Sequence, residues 1–405
     1  MTFIIGKMTT AFEDIEVSDW NKLRSTIQEE GFHLSQFNDE GMNLLHAACS
    51  NSNTPADIIE KMIQTQHGAI HSLSKSRSLP IHYACESGSA TTVKLLLELN
   101  SKIGTFDVRF YTRYLDINER TCLDRCWLKY LFSKSTQFAS KEQISIKLNG
   151  MNNINSAKDL HGDLLDLWDK TKLILFAASK NSTKFESMKD WNVLQAVARC
   201  GSYDTCWCPS IVMWLALKVN RGQIKWRDTD GNTILHIAAS SATHMLLYVP
   251  SLITKSINHD MNRSVLEMLV TYYPDAVNIR NTKKELPLHL AIKSAKTLKD
   301  GIGALTKIYA DAVNEADEKT GLRPFMLAAA SPSREIFPHE ISCQHHQFSR
   351  KEESLDLIYF LLQKNPMNAI PYPQLYRKRK RKQRQPICPI KKRSGSCQIS
   401  TLRFN

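Results

Sequence analysis

A nine-residue segment, Glu285-Leu286-Pro287-Leu288-His289-Leu290-Ala291-Ile292-Lys293, constrains the fold of this chain more than any other. A polar turn, Asn281 to Lys284, leads into it, and a second apolar stretch, Ala304 to Ala310, follows. Proline suits the first position of a helix, because the N–H it lacks would have no partner there. Leu288, Ala291 and Ile292 fall on one helical face, and the small alanine lets a neighbouring helix come close. Variants of the segment recur as Asn43-Leu44-Leu45-His46, Leu79-Pro80-Ile81-His82, Thr121-Cys122-Leu123-Asp124, Asn192-Val193-Leu194-Gln195, Thr233-Ile234-Leu235-His236 and Arg323-Pro324-Phe325-Met326. Their fourth positions are separated by 36, 42, 71, 41, 53 and 37 residues. Self-similarity on this scale predicts a repeat array.

A second helical pattern follows most matches: Ala56 to Ile63, Thr91 to Leu99, Pro209 to Val219, Val265 to Tyr273, Ile302 to Ala310 and Glu353 to Gln363. No alternating strand pattern competes, so the expected fold is all-α, a solenoid in which each helix pair buries its apolar face only against its neighbours. Residues 1–34 are expected to supply an N-terminal capping helix, with Ser18 or Asp19 as N-cap and Gly31 as stop. The repeat domain is read as 35–365, with insertions near 133–158, 240–262 and 331–350, the first expected to be a mobile surface segment. Within the longest interval, Cys122 to Phe132 reads as a first helix and Leu160 to Ala178 as its displaced second helix.

Charge is distributed unevenly. The net charge is +13, from 53 basic and 40 acidic residues, yet the last 35 residues hold eleven lysines or arginines and no acid. Positions 1–370 therefore carry 42 basic against 40 acidic residues, nearly neutral. The basic character is concentrated in Arg377, Lys378, Arg379, Lys380, Arg381, Lys382 and Arg384, with Lys391, Lys392 and Arg393 as a second block. Self-repulsion and the flanking prolines predict that 366–405 is disordered. No run of 18 apolar residues exists, so no membrane span is expected. Ten irregularly spaced cysteines without a signal peptide point to reduced thiols in the cytosol or nucleus.

The repeated segments resemble ankyrin-repeat proteins over roughly residues 35–365. Within them the chain looks like a large algal, diatom-type group. The shared stretches are Leu165-Asp166-Leu167-Trp168-Asp169-Lys170-Thr171-Lys172, Asp230 to Ser240, Glu285 to Lys293 and Thr320 to Ala330. Only four repeats keep the histidine and only three keep the proline (Pro80, Pro287, Pro324); the third and fourth repeats are degenerate. The resemblance implies an interaction scaffold that binds a protein partner on its concave face, with no catalytic role and no cofactor.

Candidate chemistry reads as structural. His46, His82, His236 and His289 hold one repeat position, so they form a ladder along the array instead of converging on a metal; each is expected to hydrogen-bond the turn preceding its helix. Cys200, Cys206 and Cys208 lack the paired spacing that zinc sites use, and Cys343 with His345 and His346 lacks a fourth ligand. No phosphate loop, nucleophile elbow or metalloprotease motif occurs. The tail blocks fit a bipartite nuclear localisation signal read by an import receptor; the alternative is that they bind DNA or RNA phosphates while the repeats recruit a protein.

Overall fold

A polar turn can launch a helix only if its freed N–H groups find acceptors, and six of the repeats solve this in one way. The residue that opens the turn, Asn38, Ser74, Asp116, Asp228, Asn281 or Asp317, turns its side chain onto backbone N–H groups two to four residues on. Its own N–H donates to the carbonyl four residues later in the first five of these, and to Leu322, five later, in the last. The turn then needs one residue with positive φ: Gly41, Gly231 and Gly321 supply it freely, while Arg77 and Lys284 adopt it at φ 54 and 58°. Neighbouring turns are also bonded to each other. Lys75 N–H donates to Glu40, Ile117 to Ser76 and Thr282 to Asp230, at 3.3, 2.9 and 2.9 Å. Gly41 shows how close this stacking is, since a Cβ there would stand 2.8 Å from the Lys75 backbone nitrogen.

The computed structural model describes residues 11–29, 37–104, 107–131 except 119, 151–331 except 152, 181, 201–208 and 242–262, and 344–365. It divides into units Met1–Lys364 and Asn365–Asn405. The tail from 366, with all ten candidate localisation residues, lies outside the described residues, as do most of the three expected insertions.

The helices are α1 (Trp20–Gln28), α2 (Leu44–Ser50), α3 (Ala56–Thr65), α4 (Pro80–Glu86), α5 (Ala90–Ile103), α6 (Val108–Arg113), α7 (Cys122–Leu131), α8 (Gly162–Lys180), α9 (Val193–Cys200), α10 (Pro209–Val219), α11 (Ile234–Ser240), α12 (Val265–Tyr272), α13 (Pro287–Lys293), α14 (Gly303–Ile308), α15 (Pro324–Ala330) and α16 (Gln344–Lys364). First helices stack on first helices, α2 on α4 and α4 on α7, then α9 on α11, α11 on α13 and α13 on α15. Second helices form a parallel file: α1, α3 and α5, and later α10, α12 and α14. The first helices are only two turns long and nearly all interior: Leu44, Leu45, Ala48 and Cys49 in α2 and Leu288, Ala291 and Ile292 in α13 are buried. Pro80, Pro287 and Pro324 each occupy the first helical position. Among the described residues there is no strand, only an isolated bridge between Arg227 and Thr233.

Several details differ from the sequence-based expectation. Ahead of α1, residues 11–16 form a further helical turn that buries Ala11 and Ile15. The end of the expected 133–158 insertion is not a free surface segment, because Met151 and Ile154 are buried. The segment expected to be one helix from Ile302 to Ala310 is the shorter α14, preceded by a π-turn, Leu298–Ile302, and followed by a 3₁₀ turn, Ala310–Asn314. Gly301, at φ 105°, kinks the π-turn, and a Cβ there would collide with Ser264 Oγ. The last helix begins at Gln344, inside the expected third insertion.

Helix α8 holds the middle of the array together. It packs on α5, α6, α7 and α9, bridging the degenerate third and fourth repeats. Its Lys170 is buried, donates to the Gly88 carbonyl at 2.5 Å and pairs with Asp166 at 2.8 Å. Asp166 accepts from Ala90 N–H at 2.8 Å. One turn of α8 thus satisfies both the loose carbonyls after α4 and the first N–H of α5.

Candidate partner-binding face

The four repeat histidines bind the array lengthwise. In each, the backbone N–H three residues earlier (Asn43, Leu79, Thr233, Leu286) donates to Nδ1 at 3.2–3.3 Å. In His82, His236 and His289 Nδ1 is therefore an acceptor and the proton sits on Nε2, whereas His46 Nδ1 also lies 2.6 Å from Asn43 Oδ1. Nε2 faces carbonyls of the following repeat: Ser72 and Ser78 for His46, Tyr114 for His82, Glu285 for His236 and Glu315 for His289, at 2.9–3.2 Å. Nδ1 thus bonds the residue that leads from the preceding turn into the helix, and Nε2 adds a forward bond that the sequence pattern did not predict. Chain direction decides this, because each helix pair is laid down before the turn that its histidine grips. All four side chains are fully buried, and burial lowers each pKa to about 4. They are neutral posts, and they do not meet at one point.

Where the histidine is missing, other groups carry the link. Asp124 accepts from the N–H and hydroxyl of Thr121 at 2.9 and 2.7 Å, completing the cap. In the fourth repeat the 3₁₀ turn Arg221–Lys225, which leads into the fifth repeat, sends Gln223 back. Its Oε1 accepts from Val193 N–H at 3.0 Å and its Nε2 donates to the Trp191 carbonyl at 3.2 Å. In the seventh repeat Met326, at the histidine position, is 39% exposed.

With the histidines occupied inside, the turn tips and the ends of the first helices form an edge of the array. Two half-buried charge networks shape it. Arg125 on α7 pairs with Asp116 at 2.7 Å and Glu86 at 2.6 Å, donates to Ser78 Oγ at 2.7 Å, and lies 5.6 Å from the Tyr83 ring centroid. Burial opposes the Asp116 charge, but the backbone N–H of Arg120 and the Arg125 guanidinium outweigh it and hold its pKa below the usual carboxylate value. Lys293 on α13 pairs with Glu285 at 2.7 Å and Asp317 at 2.6 Å, joining the sixth and seventh turns. Arg280 pairs with Glu315, which also accepts from Tyr309. The turn pattern behind both networks was legible as polar residues ahead of each match, but the cation that closes each network comes from a helix and carried no recognisable spacing.

Cys122 and Cys126 are buried free thiols in α7. Cys206, Cys208 and Cys343 lie outside the described residues, as do the side chains of Cys200, His345 and His346. Among the described residues no three His, Cys, Asp or Glu are arranged to hold a metal ion, and no helix is long and apolar enough to cross a membrane.

Residues 21–107 match a family model described as ankyrin repeats in three copies. No curated protein matches the sequence. Among solved structures, the chain is similar to the crystal structure of the ankyrin repeat domain of Bcl-3, described as a unique member of the IkappaB protein family. That likeness covers 73% of this chain and 96% of that one, at 16% identity and a TM-score of 0.29. Paired helices stacked in file, turns bonded tip to tip and the match over 21–107 make this an ankyrin-repeat fold, the architecture of a protein-interaction module.

Proposed function

We propose that the protein is a non-enzymatic adaptor that binds a protein partner along the turn-tip edge, and that its basic tail directs it to the nucleus. The observation that carries the binding part is the rigid edge itself. Turns linked by inter-repeat backbone bonds and by forward-reaching histidines present exposed side chains in a fixed row, so little ordering entropy is lost on binding. In this reading the chain falls within the algal, diatom-type group that the stretches 165–172, 230–240, 285–293 and 320–330 resemble.

Two alternating basic blocks and no acid support the localisation part. Deletion of residues 377–393 is expected to abolish nuclear accumulation of a fluorescently tagged full-length protein. Nuclear concentration unchanged by the deletion would remove the signal reading. The same composition supports a second reading, in which the tail binds nucleic-acid phosphates. Full-length protein would then bind a random duplex at low salt, with affinity falling steeply as salt rises. Equal binding with and without residues 377–393 would dispose of it.

A further inference from the structure

The turn edge is not uniform along its length. In the sixth and seventh repeats three cations are paired internally, Lys284 on Glu318, Arg280 on Glu315 and Lys293 on Glu285 and Asp317, and Lys283 and Lys319 are exposed without large apolar neighbours in their turns. The second and third repeats combine exposed cations with exposed apolar groups. Arg77 and Arg120 are exposed in consecutive turns, and neither forms an ion pair among the described residues. Beside them stand large apolar side chains open to water: Leu73 at 42%, Leu115 at 39% and Ile117 at 59% exposed. Leu73 and Leu115 occupy one register, each immediately before the residue that opens its turn, and Ile117 N–H is bonded to Ser76 of the neighbouring turn. Phe110, 52% exposed, extends the apolar strip through its edge contact with Tyr114, 5.8 Å between centroids. The cations are solvated at no cost, but clustered apolar groups in water are not, and apolar groups interleaved with arginine are a composition found at contact surfaces.

We propose that this edge of the second and third repeats docks an extended acidic segment of a partner protein, with apolar side chains seated on Leu73, Leu115 and Ile117 and carboxylates paired with Arg77 and Arg120. This deepens the adaptor reading and rests on it. Charge complementarity chooses the occupant: Arg77 and Arg120 call for carboxylates, and the 371–405 segment of this chain contains none. The apolar strip favours a peptide over a nucleic acid, whose backbone offers charge without aliphatic contact. Packed neighbours lie about 8–10 Å apart, and an extended chain rises roughly 3.3 Å per residue, so the partner should place an apolar residue at about every third position.

The test is selection from a random dodecapeptide phage library on full-length protein, followed by affinity measurement of the enriched peptides. Expected are peptides rich in Asp and Glu with apolar residues three apart. Their affinity should fall tenfold or more with Leu115→Ser/Ile117→Ser and, separately, with Arg77→Glu/Arg120→Glu. All four positions are exposed, so thermal melts should match the parent protein. Enriched peptides that are neutral or basic, or that bind both variants undiminished, overturn the docking site. So does displacement of the peptides by a twelve-nucleotide single-stranded DNA that binds more tightly. If no peptide is enriched while affinity capture with full-length protein still recovers a specific partner, this site fails alone; if capture also fails, the adaptor reading falls with it.

Discussion

Stability is expected to fall by several kcal/mol between pH 6.5 and pH 4, well before the carboxylates are fully protonated. Each repeat histidine has a folded pKa of about 4, against 6.5 when unfolded, because burial penalises the imidazolium. In His82, His236 and His289 a second penalty is geometric, since protonating Nδ1 sets two donors face to face where the backbone N–H now points at a lone pair. As the folded pKa is depressed, the unfolded chain takes up protons first. The stabilisation is complete above about pH 6.5, is lost as pH falls, and levels off below about 4. The full linkage is on the order of 3 kcal/mol per histidine, and the four act in the same direction. His71, also lowered by burial, adds to the trend. Urea unfolding at pH 7, 6 and 5 measures it. His236→Gln should be less stable at pH 7 and should lose part of the pH slope. A flat profile from pH 7 to 5 would show that the rings are not buried neutral.

The second large effect is expected from Lys293→Met, which should destabilise the protein by about 3–5 kcal/mol. The Asp317 side chain is fully buried and Glu285 is 10% exposed, so removing the ammonium deprives two buried carboxylates of the counter-charge they share. Burial already pushes the Asp317 pKa up; the hydrogen bonds from Lys293 and Thr320 are what bring it below its ordinary value. The triple variant Lys293→Met, Glu285→Gln, Asp317→Asn should recover most of the loss, because it removes the uncompensated charge. By contrast, Asp57→Asn, which breaks the exposed Arg24–Asp57 pair, should cost under about 1 kcal/mol. Denaturant midpoints compare the three, and a Lys293→Met cost as small as that of Asp57→Asn would refute the buried-network account.

The sequence by itself determined the repeat. A seven-residue helix whose second, fifth and sixth positions are apolar can bury them only against copies of itself, so spotting the Glu285–Lys293 pattern seven times dictated a stack of helix pairs. It determined the neutrality of 1–370 and the basic tail in the same direct way, since charge needs no folding to be counted. Tertiary structure alone decided what joins the layers. That His289 grips Glu315, that Gln223 stands in where the fourth repeat lacks a histidine, and that Lys170 caps a turn 82 residues earlier are contacts between residues far apart in the chain. The same holds for the edge, where Arg125 and Lys293 are consumed by buried acids and Arg77 and Arg120 are left for a partner. Periodicity records which face of a helix is apolar; it carries no record of which distant carboxylate a cation will meet, and that pairing is what separates a structural charge from a binding one.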